Sequence, residues 1–221
     1  MKETPFIRGA VVSLRMPNVD EDVLNGSWHE WFNDQGITEF LGHGVFPVNR
    51  NQQATFITNE MSKSSSLILA IDSNETGSHI GVISLKSINH IQRTAEIAIV
   101  MGFDKIHCAA LEAMALMTKH AFNRLNLSKL YAGQHESLWK WVNTLGLIGY
   151  EVEGFRENWG YRNGKPWGVI MTGVSADNFY ALQKARGGDI LQGDVIKLSM
   201  TRSKLNFLQS LRQHLTDINS R

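Results

Sequence analysis

A single cysteine, Cys108, excludes an intrachain disulfide and fits a reducing compartment. Neither sign of charge is in excess. With 22 lysines and arginines against 21 aspartates and glutamates, nothing in the total points to nucleic acid or an anionic membrane as the main partner. Long apolar runs are missing too: no stretch approaches the roughly 20 apolar residues of a membrane span, and the N-terminal MKETPFIRGAVVSLRMP has no sustained apolar core of signal-peptide length. The eight histidines are scattered, with no His-x-x-x-His spacing and no Cys/His cluster, so no metal site is expected. No internal repeat or low-complexity tract interrupts the chain. A soluble, cytoplasmic protein of 221 residues is the expectation, long enough for one domain with a substantial core and an appendage.

The chain is organised around residues 94–125. The strand-like TAEIAIVMG comes first, then the polar break FDKIH, then an apolar-patterned helix from about Ile106. Nearly every strand position is apolar, as in a strand covered on both faces, and Glu96 is the exception. A carboxylate there either reaches water at a sheet rim or, desolvated, has its pKa raised towards the range of a general base. In the helix Ile106, Ala110, Ala113, Met114, Met117, Ala121 and Leu125 recur at helical spacing, so one stripe packs on the sheet. Strand, loop and helix N-terminus in succession form a natural anion site, because first-turn N–H groups are unpaired and the dipole is positive there.

Before this core, GAVVSLR (residues 9–15) reads as a strand and NVDEDVLNG as a turn leading to a helix around residues 27–33, with Ser27 as its N-cap. Trp28, Trp31 and Phe32 share one face of that helix. Residues 49–63 give a second helix with a polar face, and SLILAID and HIGVISLKSIN supply strands that run antiparallel into the central one as a meander. After the long helix, LSKLYAGQ is a strand parallel to the central strand, because a helix connects the two. HESLWKWVNTLG is a second crossing helix. Residues 150–161 and 165–174 flank Arg162-Asn163-Gly164, and Asn-Gly signals a type I′ hairpin. Residues 175–184 form a closing helix, and ARGGDILQGD a flexible joint. Leu205, Leu208, Leu211, Leu215 and Ile218 then mark an amphipathic helix that docks on its own domain or pairs with a second subunit.

AEIAIVMG with the ALEA helix, LYAG, and GFRENWGYRNGKPWGVIM resemble the GNAT superfamily of acyl-CoA-dependent N-acyltransferases, in particular the branch of the ribosomal-protein alanine acetyltransferases. The resemblance covers about residues 8–182, and WHEWFNDQGITEFLGHGVFP (residues 28–47) is similar to relatives from bacterial surface-polysaccharide gene sets. It implies a mixed α/β fold, with a mostly antiparallel central sheet, one parallel strand pair splayed for the cofactor, and helices on both faces. The domain would span residues 1–182, and residues 183–221 would be a C-terminal extension. Acetyl-CoA would be the co-substrate, with its arm against Ile99, Val100 and Met101 and its pyrophosphate on Lys105, Ile106, His107, Cys108, Ala109 and Ala110. The family loop, Gln/Arg-x-x-Gly-x-Gly/Ala, has lost both glycines here, which implies weaker pyrophosphate binding, partly offset by Lys105 and His107.

By the same resemblance Glu96 is the base, and His135 or Asn143 takes the place of a cofactor-contacting Asn. The family's usual Tyr acid is missing between Gln134 and Gly149, leaving Ser137 or water. Trp28, His29, Asn33, His43 and Trp159 are candidates for touching the acceptor, with Tyr161 and Trp167 beside the last, although large aromatics in cross-strand pairs also serve structure. The implied reaction is acetyl transfer to a primary amine. The acceptor is a small molecule, foremost an amino sugar, often nucleotide-linked, with a protein N-terminus or small amine next, and a homodimer is one expected assembly. The alternative is a degenerate fold that has lost catalysis and binds a ligand or partner.

Overall fold

The computed structural model describes residues 4–42, 44–102 and 108–191. The chain divides into two compact units, residues 1–126 and 127–221. In the first, strands β1 (Ile7–Arg8), β2 (Val12–Arg15), β3 (Leu67–Ser73), β4 (His79–Asn89) and β5 (Thr94–Met101) pair in that order, every pair antiparallel. The β3–β4–β5 meander expected from the short connections is present.

Helices α1 (Trp28–Asn33), α2 (Gln35–Thr38) and α3 (Arg50–Met61) separate β2 from β3, preceded by one turn of π-helix at Val19–Leu24. Asn49 starts α3 with a capping box: its side chain takes the Gln52 N–H while the Gln52 side chain takes the Asn49 N–H. Ser27 stands at the N-cap of α1, yet its side chain makes no capping bond, contrary to expectation. Trp28, Trp31, Ile57, Ile68 and Val82 form one buried cluster, so α1 and α3 cover this sheet face. Ile83, Leu85, Ala95 and Ile97 point the other way by strand alternation and are buried, on the side where α4 (Ala109–Asn123) packs against β2, β4 and β5.

The first strand is shorter than GAVVSLR suggests. At residues 10–12 the backbone N–H groups of Ala10, Val11 and Val12 all donate to the Glu112 carboxylate of α4, at 2.7–2.8 Å. Donors taken by a side chain are lost to the ladder, so the chain bends there and β2 begins at Val12. Helix α4 begins at Ala109, three residues later than the apolar pattern alone suggests, and residues 103–107 lie outside the described residues.

In the second unit β6 (Lys129–His135) pairs with β8 (Lys165–Ser175), which pairs with β7 (Glu151–Arg162), again antiparallel. The β7–β8 hairpin turns at Asn163 (φ 51°) and Gly164 (φ 73°), the two positive φ values that type I′ demands. The crossing helix expected from HESLWKWVNTLG opens as a 3₁₀ turn at Glu136–Leu138 and continues as α5 (Trp139–Leu145). Helix α6 (Ala176–Ala185) starts on Ser175, whose hydroxyl accepts from the Asn178 N–H. The leucine stripe of residues 205–218 and the rest of the extension beyond residue 191 lie outside the described residues. No described helix is long and apolar enough to cross a membrane.

Candidate active site

Strand register decides which side chains share a face. Lys86 stands opposite Glu96, Ser84 opposite Ala98 and Val82 opposite Val100. With a period of two, Glu96, Ala98 and Val100 project to the face that carries Val82, Ser84 and Lys86, the face under α1 and α3. A cavity of about 100 Å³ lies in this layer. Its floor includes Ser84, Lys86, Ala98 and Val100, and its walls Trp28, Phe32, Phe56 and Glu60.

Glu96 is half-buried one position along this face from Ala98, and among the described residues neither it nor Lys86 is held in an ion pair. The Glu60 carboxylate is engaged: it accepts from the Lys63 ammonium and from the Ser66 hydroxyl, and these bonds hold its carboxyl below the usual range. The cavity therefore carries one committed carboxylate, one ammonium and serine hydroxyls on a largely apolar lining.

A buried charge cluster fixes α1 above the sheet. Arg15 on β2 binds both Asp22 oxygens at 2.7 Å and Asp72 on β3 at 2.8 and 3.0 Å. His79, at the start of β4, donates from Nε2 to the Gly81 carbonyl 2.9 Å away, and its Nδ1 lies 3.5 Å from Asp22. Burial lowers the His79 pKa, against the pull of Asp22 and with a further push from Arg15. Burial works to raise the Asp22 pKa, but the Arg15 hydrogen bond, His79 and the Asn18 N–H outweigh it, and the net shift is downward. The indole rings of Trp28 and Trp31 lie 5.4 and 4.9 Å from the His79 ring. Trp31 also lies against Gly102, where a Cβ would come within 2.5 Å of the indole, so the exit of β5 requires glycine for close approach.

Helix α4 opens on Cys108, which adopts φ 64° and ψ −1° and contributes no side-chain cap. The first-turn N–H groups at Ala109 and Ala110 thus have no side chain of Cys108 upon them, as an anion site at a helix N-terminus requires. A family model described as the acetyltransferase (GNAT) domain matches residues 13–150, more than half of the chain. The chain belongs to the GNAT acetyltransferase family. It is an N-acetyltransferase, and its acetyl donor is acetyl-CoA.

Solved structures share the GNAT fold. The spermidine N-acetyltransferase from Vibrio cholerae in complex with CoA and spermine aligns with a TM-score of 0.67 at 19% identity, over 76% of this chain and 98% of that one. A GCN5-related N-acetyltransferase from Brucella melitensis gives 0.67 at 17%, over 83% and 84%. No curated protein sequence matches the chain.

For this GNAT, the cofactor loop can be followed only at its end: Lys105, Ile106 and His107 fall outside the described residues. Cys108 takes the left-handed conformation that glycine usually supplies, so losing glycine at this position has not removed the positive φ there. Ile99, Val100 and Met101 close β5, all half-buried, whereas Ala95 and Ile97 are buried.

The acceptor candidates separate. Trp28 is a buried wall of the cavity, and among the described residues neither its indole N–H nor the buried His29 Nδ1 has a hydrogen-bond partner. Asn33 is a clasp: its amide donates to the His29 and Val48 carbonyls and accepts from the Val48 N–H. His43 lies outside the described residues. In the second unit the Ser137 N–H donates to His135 Nδ1 at 3.1 Å, and the His135 ring stacks on Trp167 at 4.8 Å. Ser137 itself is exposed and Asn143 half-buried on α5. Trp159 is 56% exposed with the Arg156 guanidinium 4.7 Å from its ring centre, and Tyr161 is more exposed still.

Sequence reasoning passed over Phe56, Glu60, Ser84 and Lys86. A signal existed: Gln53, Phe56, Ile57 and Glu60 fall at i, i+3, i+4 and i+7, one face of α3 that reads as merely polar until the cavity shows what it lines.

Proposed function

We propose that the protein acetylates the primary amine of an amino sugar, carried as a nucleotide-linked sugar of surface-polysaccharide synthesis. The cavity beside Glu96 carries this reading. Its hydroxyls, Ser66 and Ser84, suit the hydroxyl groups of a sugar, and Trp28, Phe32 and Phe56 suit the C–H faces of its ring. A polyamine such as the spermine bound by the Vibrio cholerae enzyme fits this lining poorly, because Lys86 is a cation and Glu60 is already committed to Lys63. The likeness of residues 28–47 to relatives from surface-polysaccharide gene sets supports the same acceptor.

In the proposed mechanism Glu96 takes a proton from the acceptor ammonium, directly or through one water. The neutral nitrogen then adds to the thioester carbonyl of acetyl-CoA, and backbone N–H groups around Ile99, Val100 and Met101 stabilise the oxyanion. Collapse expels the CoA thiolate, a leaving group good enough that no protein acid is needed, and water supplies its proton. Lys105, His107 and the first turn of α4 at Ala109 and Ala110 hold the pyrophosphate. The test is thiol release from acetyl-CoA with a panel of acceptors: a nucleotide-linked amino sugar, the free amino sugar, spermidine and a peptide with a free N-terminus. The nucleotide-linked sugar should be turned over with the highest kcat/KM. Preference for spermidine or the peptide would overturn the assignment.

A further inference from the structure

A second cavity, of about 270 Å³, adjoins the first and shares Phe32 and Phe56 with it. Val45, Phe46 and Val48 add to its apolar lining, and among the described residues no charged side chain lines it. Phe46 is 79% exposed and Val45 67%, a large apolar cost on the surface of a protein that binds nothing there.

Among the described lining residues Gln53 carries the one polar side chain. Gln53 is 4% exposed, yet its amide makes no hydrogen bond to any described residue. Its polar atoms are not among the fully enclosed unpartnered ones, so they open onto the cavity, where the edge of a ligand can take the place of water. Gln53 lies one helical turn from Phe56 on α3, which puts a neighbouring donor and acceptor beside an aromatic face. An amide offers N–H and C=O together, and the ligand group that answers both at once while stacking on a phenyl ring is the edge of a planar heterocycle, as when Gln or Asn reads a base edge.

We propose that this second cavity is a subsite for the heterocyclic base of the nucleotide-linked acceptor, which stacks on Phe46 or Phe56 and pairs with the Gln53 amide. The inference rests on the acceptor proposed above and gives its nucleotide a place continuous with the cavity for the sugar. The absence of charge among the described lining residues fits a neutral base and not a second ammonium.

The test is calorimetric binding of uridine diphosphate and thymidine diphosphate to the full chain with saturating CoA present, so that the site of CoA's own adenine is filled. The subsite predicts that one of them binds, and that Phe46→Ala, at an exposed position that tolerates truncation, weakens it about tenfold, in the range of lost base stacking. Gln53→Met, which keeps the volume, should weaken the binding of both nucleotides comparably. Failure of both nucleotides to bind a protein that acetylates the free amino sugar would overturn the subsite and leave the acetyltransfer reading standing. Nucleotide binding untouched by either substitution would overturn its placement. Binding that both variants weaken, in a protein that acetylates no amino sugar, would support the subsite and sink the acceptor assignment.

Discussion

Cys108 shows how a residue type and its conformation can disagree. The sequence lacks the loop glycines of the family, but the backbone at Cys108 keeps the left-handed φ for which glycine is the usual choice. A β-carbon there costs roughly 1–2 kcal/mol. Cys108→Gly should therefore raise the urea midpoint and leave acetyl-CoA affinity unchanged or tighter; a lower midpoint would mean that the thiol's packing outweighs the strain. The Arg15–Asp22–Asp72–His79 cluster has a pH consequence. Below about 6.5, the ordinary histidine value, the unfolded chain binds a proton that folded His79 resists, so stability falls as pH falls through this window. The Asp22 carboxylate, with its pKa lowered from 3.8, adds stability above that value that is lost on further acidification. Urea midpoints measured from pH 7 to 5 should decline in the wild type and flatten in His79→Gln; an equal decline in both would assign the effect elsewhere.

At the scale of elements, the alternation of TAEIAIVMG, the methionine stripe of α4 and the Asn163-Gly164 turn were legible because each is a local pattern of a few residues. The same holds for the short connections that force the meander. The bend before β2 was not legible, because its cause lies about a hundred residues away: Glu112 looks like one more polar residue beside an apolar stripe, and only the fold brings it to three backbone donors. Gln53 and Phe46 escaped for the same reason, since neither belongs to a short motif. Because each hydrogen bond to a charged group is worth roughly 1.5–3 kcal/mol, Glu112→Ala should destabilise the protein by about 3 kcal/mol or more. Equilibrium urea unfolding measures it; a loss under about 1 kcal/mol would mean that water replaces the carboxylate at the bend.

For the molecule as a whole, the family and its donor follow from the match over residues 13–150, while the choice of acceptor and of base rests on this chain's own side chains. Membership was legible in the sequence because the central strand and the helix after it are contiguous. The cavity proposed for the acceptor was not, because its floor comes from β3, β4 and β5 and its walls from α1 and α3, segments that meet only through strand register. The account's central claim is that Glu96, on that floor's face, takes the proton of the attacking amine. The measurement that tests it most directly is steady-state turnover of Glu96→Gln alongside calorimetric acetyl-CoA affinity of the same preparation. The account predicts a fall in kcat of roughly 10²–10⁴-fold with affinity for acetyl-CoA nearly unchanged. Wild-type turnover in the variant would contradict it and make Glu96 a carboxylate at the sheet rim.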